Sequence, residues 1–230
     1  ISATERQRVK DLAAKTGIEI SGIHWVLVKA EGMHMTHTDT SIREKTAKYF
    51  VDLVDCCADF GGKSIIVGSP YQRNLMEGVT YEQAWERATD VFKDGVAHAG
   101  ERDVTICFEP LAPSETNFIN THTEAIKFTK QFDNPNFKII LDTKAMCSMG
   151  KPIPDIIRES KGEFAYYHAN DENLKGPGFG DVDFVPIGEA LREVGYNGVV
   201  SVEVFKFEEG PEVIATQSLA NLKTAFGANG

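Results

Sequence analysis

The sequence predicts an α/β chain of the (β/α)₈ barrel type, with about six βα units visible and two strands short at its N-terminal end. Three observations lead there. First, short apolar runs alternate along the 230 residues with amphipathic helical stretches, and no linker or low-complexity segment interrupts them. Second, most of these runs are continuous rather than alternating, the pattern of parallel strands buried on both faces. Third, four consecutive runs each end on a side chain able to bind a metal or move a proton: Thr105–Glu109, Lys138–Asp142, Phe164–His168 and Val199–Glu203. Their ends are spaced by about 30 residues, one strand-plus-helix unit. A doubly wound sheet would satisfy the first two observations. Four successive strands delivering to one rim favour the barrel, because an open sheet gathers its sites where the strand order reverses.

The chain opens in a helix over Thr4–Thr16, closed by Gly17, and a strand follows over Ile18–Leu27. The next helix, Ser41–Phe60, starts at a Ser41-to-Glu44 capping box and stops at Gly61-Gly62. It sets Ile42, Thr46, Tyr49, Phe50, Leu53, Val54 and Cys57 on one face. Strand Ser64–Gly68 precedes a helix from Tyr81 to about Ala99, begun by the Thr80-to-Gln83 box and closed by Gly100. Strand Val104–Glu109 is stopped by Pro110, which has no N–H for the ladder. A third box, Thr121 to Glu124, starts the helix before strand Phe137–Asp142. Strands Phe164–Ala169 and Gly198–Phe205 complete the set, with helices over Asp183–Val194 and Pro211–Phe226. Residues 1–230 are therefore expected to form one barrel domain lacking its first two strands. The start at Ile1 rather than Met fits a missing N-terminal portion.

Composition narrows the function. Hydrophobic residues at 42% and charged residues at 25% are ordinary for a soluble globular protein. A formal net charge of −10 argues against a nucleic-acid backbone as partner. No apolar run reaches transmembrane length, and the polar opening lacks the apolar core of a signal peptide. Cys56, Cys57, Cys107 and Cys147 contain no CxxC pair and read as buried free thiols of a reducing compartment. A cytoplasmic protein with a small-molecule partner is expected, without nucleic acid or membrane, and with a homo-oligomer allowed.

Glu109, Asp142, His168 and Glu203, brought to one rim, offer three carboxylates and one imidazole. That set suits a divalent ion such as Mn²⁺, with Mg²⁺, Co²⁺ or Zn²⁺ as alternatives. In Val-Ser-Val-Glu-Val-Phe the alternation puts Ser201, Glu203 and Phe205 on one face, and an inward carboxylate needs a partner. Around these lie Glu115, six residues past Glu109, and Lys144, just past Asp142; both join the substrate-binding set. His24 and Trp25 end the first strand and are placed to line a pocket. Gln72 and Arg73 follow the second strand as binders of hydroxyls, a carboxylate or a phosphate. Asn170 and Asp171 are expected to orient His168, with Asp171 counted among the substrate binders. Gly176-Pro-Gly-Phe-Gly180 lacks the Lys-Ser/Thr of a phosphate loop and is expected to shape the pocket. His34 and His37 have no matched partners, and His98 and His122 are expected on helix surfaces.

The words Cys107-Phe-Glu-Pro-Leu-Ala-Pro113, Ile139-Ile-Leu-Asp-Thr-Lys-Ala-Met146, the stretch from Tyr166 to Phe184 and Gly195-Tyr-Asn-Gly-Val-Val-Ser-Val-Glu-Val-Phe205 together resemble the sugar phosphate isomerase/epimerase family. These are the xylose isomerase-like TIM barrels, and the resemblance spans nearly the whole chain. For the ketose 3-epimerases of that superfamily it implies that Glu109, Asp142, His168 and Glu203 hold Mn²⁺ or a related ion. It also implies that Glu109 and Glu203 form the acid/base pair, exchanging a proton through a metal-stabilised enediolate, and that Glu115 binds substrate. Two departures stand out. The histidine those enzymes carry three residues after the metal aspartate is Ala145 here, and Leu174 and Lys175 stand near the place of their arginine.

The leading expectation is a metal-dependent isomerase or epimerase of a sugar or keto-polyol. The alternative is a lyase, an inosose dehydratase or keto-glycoside eliminase, in which the same enolate expels a leaving group. An endonuclease IV-like nuclease would need more metal-binding histidines and a basic groove. An inactive sugar-binding protein is the remaining reading.

Overall fold

The computed structural model describes residues 1–227, and its elements follow the predicted alternation. In chain order they are α1 (Ala3–Thr16), β1 (Gly22–Ile23), α2 (Thr40–Phe60), β2 (Ser64–Val67), α3 (Tyr81–Glu101), β3 (Thr105–Phe108) and α4 (His122–Lys130). Then come β4 (Phe137–Asp142), α5 (Thr143–Cys147), α6 (Ile153–Glu159), β5 (Phe164–Ala169), α7 (Phe184–Val194), β6 (Val199–Val202) and α8 (Pro211–Phe226). The six strands form one sheet in sequence order, every pair parallel. Parallel neighbours need a crossover, and each helical connection supplies one.

The sheet curls into a half-barrel. Outward side chains such as Ile65, Ile106, Phe108, Ile139 and Leu141 pack under the helices with Phe50, Phe92 and Phe128. Inward side chains Ile66, Cys107, Ile140 and Tyr166 make a second, smaller cluster on the concave face. The curl brings distant strands together. Ser21 Oγ, just before β1, lies 3.1 Å from the hydroxyl of Tyr166 in β5, and the Trp25 ring, after β1, stacks 6.0 Å from Phe205, after β6.

Several boundaries differ from the sequence expectation for physical reasons. The first strand is expected over Ile18–Leu27 but pairs only at Gly22–Ile23, because Trp25 takes a left-handed φ of 56° and turns the chain away from β2. Helix α2 is capped by Asp39, whose side chain accepts from the Ser41 N–H, and not by a Ser41–Glu44 box. The boxes at Thr80–Gln83 and Thr121–Glu124 form as expected. Gly100 does not close α3, which runs on to Glu101. His122 is buried and pairs with Glu159, not on the helix surface. All four cysteines are free, but only Cys57 and Cys107 are buried; Cys56 and Cys147 are half-buried. Among the described residues no helix is long and apolar enough to cross a membrane.

Candidate active site and metal centre

The parallel register carries the four strand-end residues to one point. Asp142 pairs with His168, and the ladder continues past the assigned strands: Glu109 N–H donates to the Val67 carbonyl and Glu203 N–H to that of Ala169. One ligand atom from each of Glu109, Asp142, His168 and Glu203 lies within 4.8 Å of the others. Gly68, at the end of β2, leaves the space that Glu109 fills; a Cβ there would sit 1.9 Å from Glu109 Oε2. His168 Nδ1 is buried without a hydrogen-bond partner and faces Glu203, Asp142 and Glu109 at 3.4, 3.7 and 4.0 Å.

Asn170, wholly buried, fixes the arrangement. Its Nδ2 donates to Asp142 Oδ2 at 2.7 Å and to Glu203 Oε2 at 3.0 Å, while its Oδ1 accepts from the Lys144 N–H. Asp142 Oδ1 caps α5 by accepting from Ala145 N–H. The second oxygen of Glu203 lies 2.9 Å from His24 Nε2.

Electrostatics separates the two glutamates. Burial, reinforced by the Asp142 charge, pushes the Glu109 carboxyl up to about 8. Burial also opposes ionisation of Glu203, but His168 and His24 outweigh it and hold that carboxyl well below its ordinary value. Burial disfavours a charged His168, yet Asp142, Glu203 and Glu109 overcome this and raise the ring to about 11. Two buried carboxylates, Glu109 and Asp142, and the half-buried Glu203 thus converge on one point and call for positive charge. A buried, unpartnered imidazole nitrogen converging with three carboxylates fits a divalent ion, which would displace bound protons.

A cavity of about 440 Å³ opens onto Glu109 and Glu203. Trp25, Val28, Pro70, Tyr71, Leu111 and Phe205 make its apolar walls, and Lys29, Gln72, Glu115 and Lys144 supply its other polar side chains. Lys144 Nζ donates to Glu115 Oε1 at 2.8 Å and rests 4.7 Å above the Phe205 ring.

Three sequence expectations are corrected. Arg73 does not face a substrate: it is fully buried, donates to the carbonyls of Ser69, Val67 and Glu109, and lies over the Phe108 ring. Asp171 does not orient His168 or line the cavity; it is buried, accepts from the Val182 N–H and packs against Gly180. The loop from Gly176 to Gly180 lies against Ser218 and Asn221 of α8, away from the cavity lining. The residues that went unnoticed in the sequence are Val28, Lys29, Pro70, Tyr71 and Leu111. They sit in loops, where no periodicity marks them.

A family model described as xylose isomerase-like TIM barrel matches residues 1–225. A D-psicose 3-epimerase of Ruminiclostridium cellulolyticum is 30% identical over 175 residues, covering 75% of this chain and 59% of that protein. An L-ribulose 3-epimerase of Mesorhizobium japonicum is 26% identical over 225 residues, 97% of this chain and 71% of the relative. The structure of a 3-keto-D-glucoside 4-epimerase from Escherichia coli superposes with a TM-score of 0.86 at 21% identity, covering 96% of this chain and 85% of that one. At that identity the likeness is one of fold.

Proposed function

The chain belongs to the xylose isomerase-like TIM barrel family, and from that membership and the site's geometry we propose that it is a metal-dependent epimerase of a keto-sugar. The single observation that carries the reading is the convergence of Glu109, Asp142, His168 and Glu203, with the two glutamates also lining the cavity. The names of the relatives, ketose 3-epimerases among them, support the same chemistry.

A divalent ion held by these four side chains, Mn²⁺ foremost, would polarise the sugar carbonyl and acidify the adjacent C–H. The remaining chemistry belongs to the protein. Glu203, held ionised, is the base that removes the proton from the carbon beside the carbonyl. Its electron pair moves into the C–C bond as the carbonyl becomes an enediolate oxygen. Glu109, the second carboxylate that lines the cavity, returns a proton to the opposite face of the same carbon. Asn170 holds the carboxylate of Glu203 in register with Asp142, so the base cannot swing away. Glu115 and Lys144 are assigned to substrate hydroxyls, and His24 to steadying Glu203.

The test is proton exchange. With Mn²⁺ in D₂O, the metal-loaded protein should place deuterium on the carbon next to the carbonyl of its keto-sugar, and Glu203→Gln should abolish this. Normal exchange in Glu203→Gln would remove the proposed base. Release of water or an aglycone in place of exchange would turn the reading into the lyase alternative.

A further inference from the structure

Arg73 is the largest fully buried side chain among the described residues, and the chemistry above leaves it without a task. Its three hydrogen bonds all run to main-chain carbonyls: Nε to Ser69 at 3.2 Å, Nη2 to Val67 at 2.6 Å and Nη1 to Glu109 at 2.5 Å. None goes to a carboxylate. A cation buried on such terms is costly, and an apolar side chain would fill the same space without that penalty. Resting on the metal-dependent reading, we propose that Arg73 is a positioning residue for the metal centre, fixing the backbone of Glu109 and so the direction from which its carboxylate meets the other three ligands.

The geometry joins two things on one rigid group. The first is the backbone that carries the ligand. Beyond the last ladder pair, Val67 with Phe108, the Glu109 N–H donates to the Val67 carbonyl. Arg73 donates to that same Val67 carbonyl and also to the carbonyl of Glu109, so the end of β3 is tied to the end of β2 on both sides of the ligand residue. The second is the slot that receives the carboxylate. Glu109 Oε2 lies in the space left by Gly68, and Gly68 stands between Val67 and Ser69, the other two residues whose carbonyls Arg73 holds. A planar fork with donors in several fixed directions can span three carbonyls, whereas a single ammonium cannot.

The experiment reads Mn²⁺ affinity by electron spin resonance titration, independently of turnover. Arg73→Lys keeps the charge but loses the fork, and should weaken Mn²⁺ about tenfold; Arg73→Met should weaken it by about 10- to 100-fold. Sign is diagnostic for the second variant. A cation near the site repels Mn²⁺, so a guanidinium acting through its charge alone would leave tighter binding once removed. Arg73→Lys retains the charge and reads the effect even where Arg73→Met does not fold. The loss should also depend on Glu109. In Glu109→Gln, which lacks the positioned carboxylate, adding Arg73→Lys should change affinity by less than about twofold, while in Asp142→Asn the tenfold loss should persist. A general loosening of the fold would weaken the ion equally in both backgrounds. Unchanged or tighter binding in Arg73→Lys, or equal losses in the two backgrounds, would sink this proposal alone. Wild-type protein that binds no Mn²⁺ would overturn the metal reading and this proposal with it.

Discussion

Glu109 is where the cost of building this site concentrates. Its carboxyl is nearly shut off from water beside Asp142 and titrates near 8, against 4.5 for the ordinary group. The folded protein therefore holds this proton more tightly than the unfolded chain. The stabilisation is complete below about pH 4.5 and is lost as pH rises through 8. His168 acts in the same sense, but only above its ordinary 6.5. The depressed Glu203 acts only at acid pH, losing its contribution as pH falls below the ordinary carboxylate range. Urea denaturation in EDTA should accordingly show stability falling between pH 5 and 8, by up to about 1.4 kcal/mol per pH unit for each proton released. Glu109→Gln should flatten the segment from 5 to 6.5, where His168 contributes nothing. With Mn²⁺ present the slope should reverse, since the ion competes with protons for the same atoms. A flat profile in EDTA would show that the site is not strained by its carboxylates. At this scale the convergence of Glu109, Asp142, His168 and Glu203 was legible in the sequence because each ends an apolar run. Arg73 was not: a guanidinium looks the same in sequence whether it awaits an anion or is spent on the carbonyls of Ser69, Val67 and Glu109.

Elements place those residues by their ends, and the end of β2 is decisive. Gly68 has no side chain where Glu109 Oε2 lies, and all three of the nearest atoms to a Cβ at that position belong to the Glu109 carboxylate. Gly68→Ala should therefore push that carboxylate aside while leaving backbone and core in place. The expected result is Mn²⁺ affinity weaker by about 10- to 100-fold, with denaturation stability changed by less than about 1 kcal/mol. Electron spin resonance titration of Mn²⁺ reads the first quantity and urea the second; unchanged affinity would mean that Glu109 does not hold the ion. Two strands flanked on both sides, Phe137–Asp142 and Phe164–Ala169, match their apolar runs to the residue, while Ser64–Gly68 and Val104–Glu109 shorten by a residue at one or both ends to Ser64–Val67 and Thr105–Phe108. The two edge strands shorten more, each having a pairing partner on one side only: Ile18–Leu27 pairs only at Gly22–Ile23, where the strained Trp25 ends it early, and Gly198–Phe205 forms a strand only over Val199–Val202. The two short helices between β4 and β5 also escaped a definite assignment, each being too short to display a helical period.

On the scale of the whole molecule, alternation alone foretold the sequential parallel order, since short right-handed crossovers leave few other arrangements. It could not foretell the cavity wall, assembled from loops after β1, β2, β3 and β6 that meet only once the sheet curls. Curling has a second consequence. Among the described residues β1 pairs only with β2 and β6 only with β5, so each presents one unpaired edge. Near these edges Ile18, Ile20 and Val199 line one groove, with Ile18 and Val199 exposed. An unpaired backbone edge flanked by apolar side chains is a template for pairing with another chain. The 230-residue chain should therefore self-associate, with a sedimentation coefficient that rises over the micromolar range. Val199→Lys places a charge on the β6 edge and should keep the chain monomeric to higher concentration. Because Val199 is 39% exposed, that change should alter urea stability by no more than about 0.5 kcal/mol. A chain that sediments as a monomer at every concentration would show that the groove is closed by its own flanking segments, and that the half-barrel stands without a neighbour.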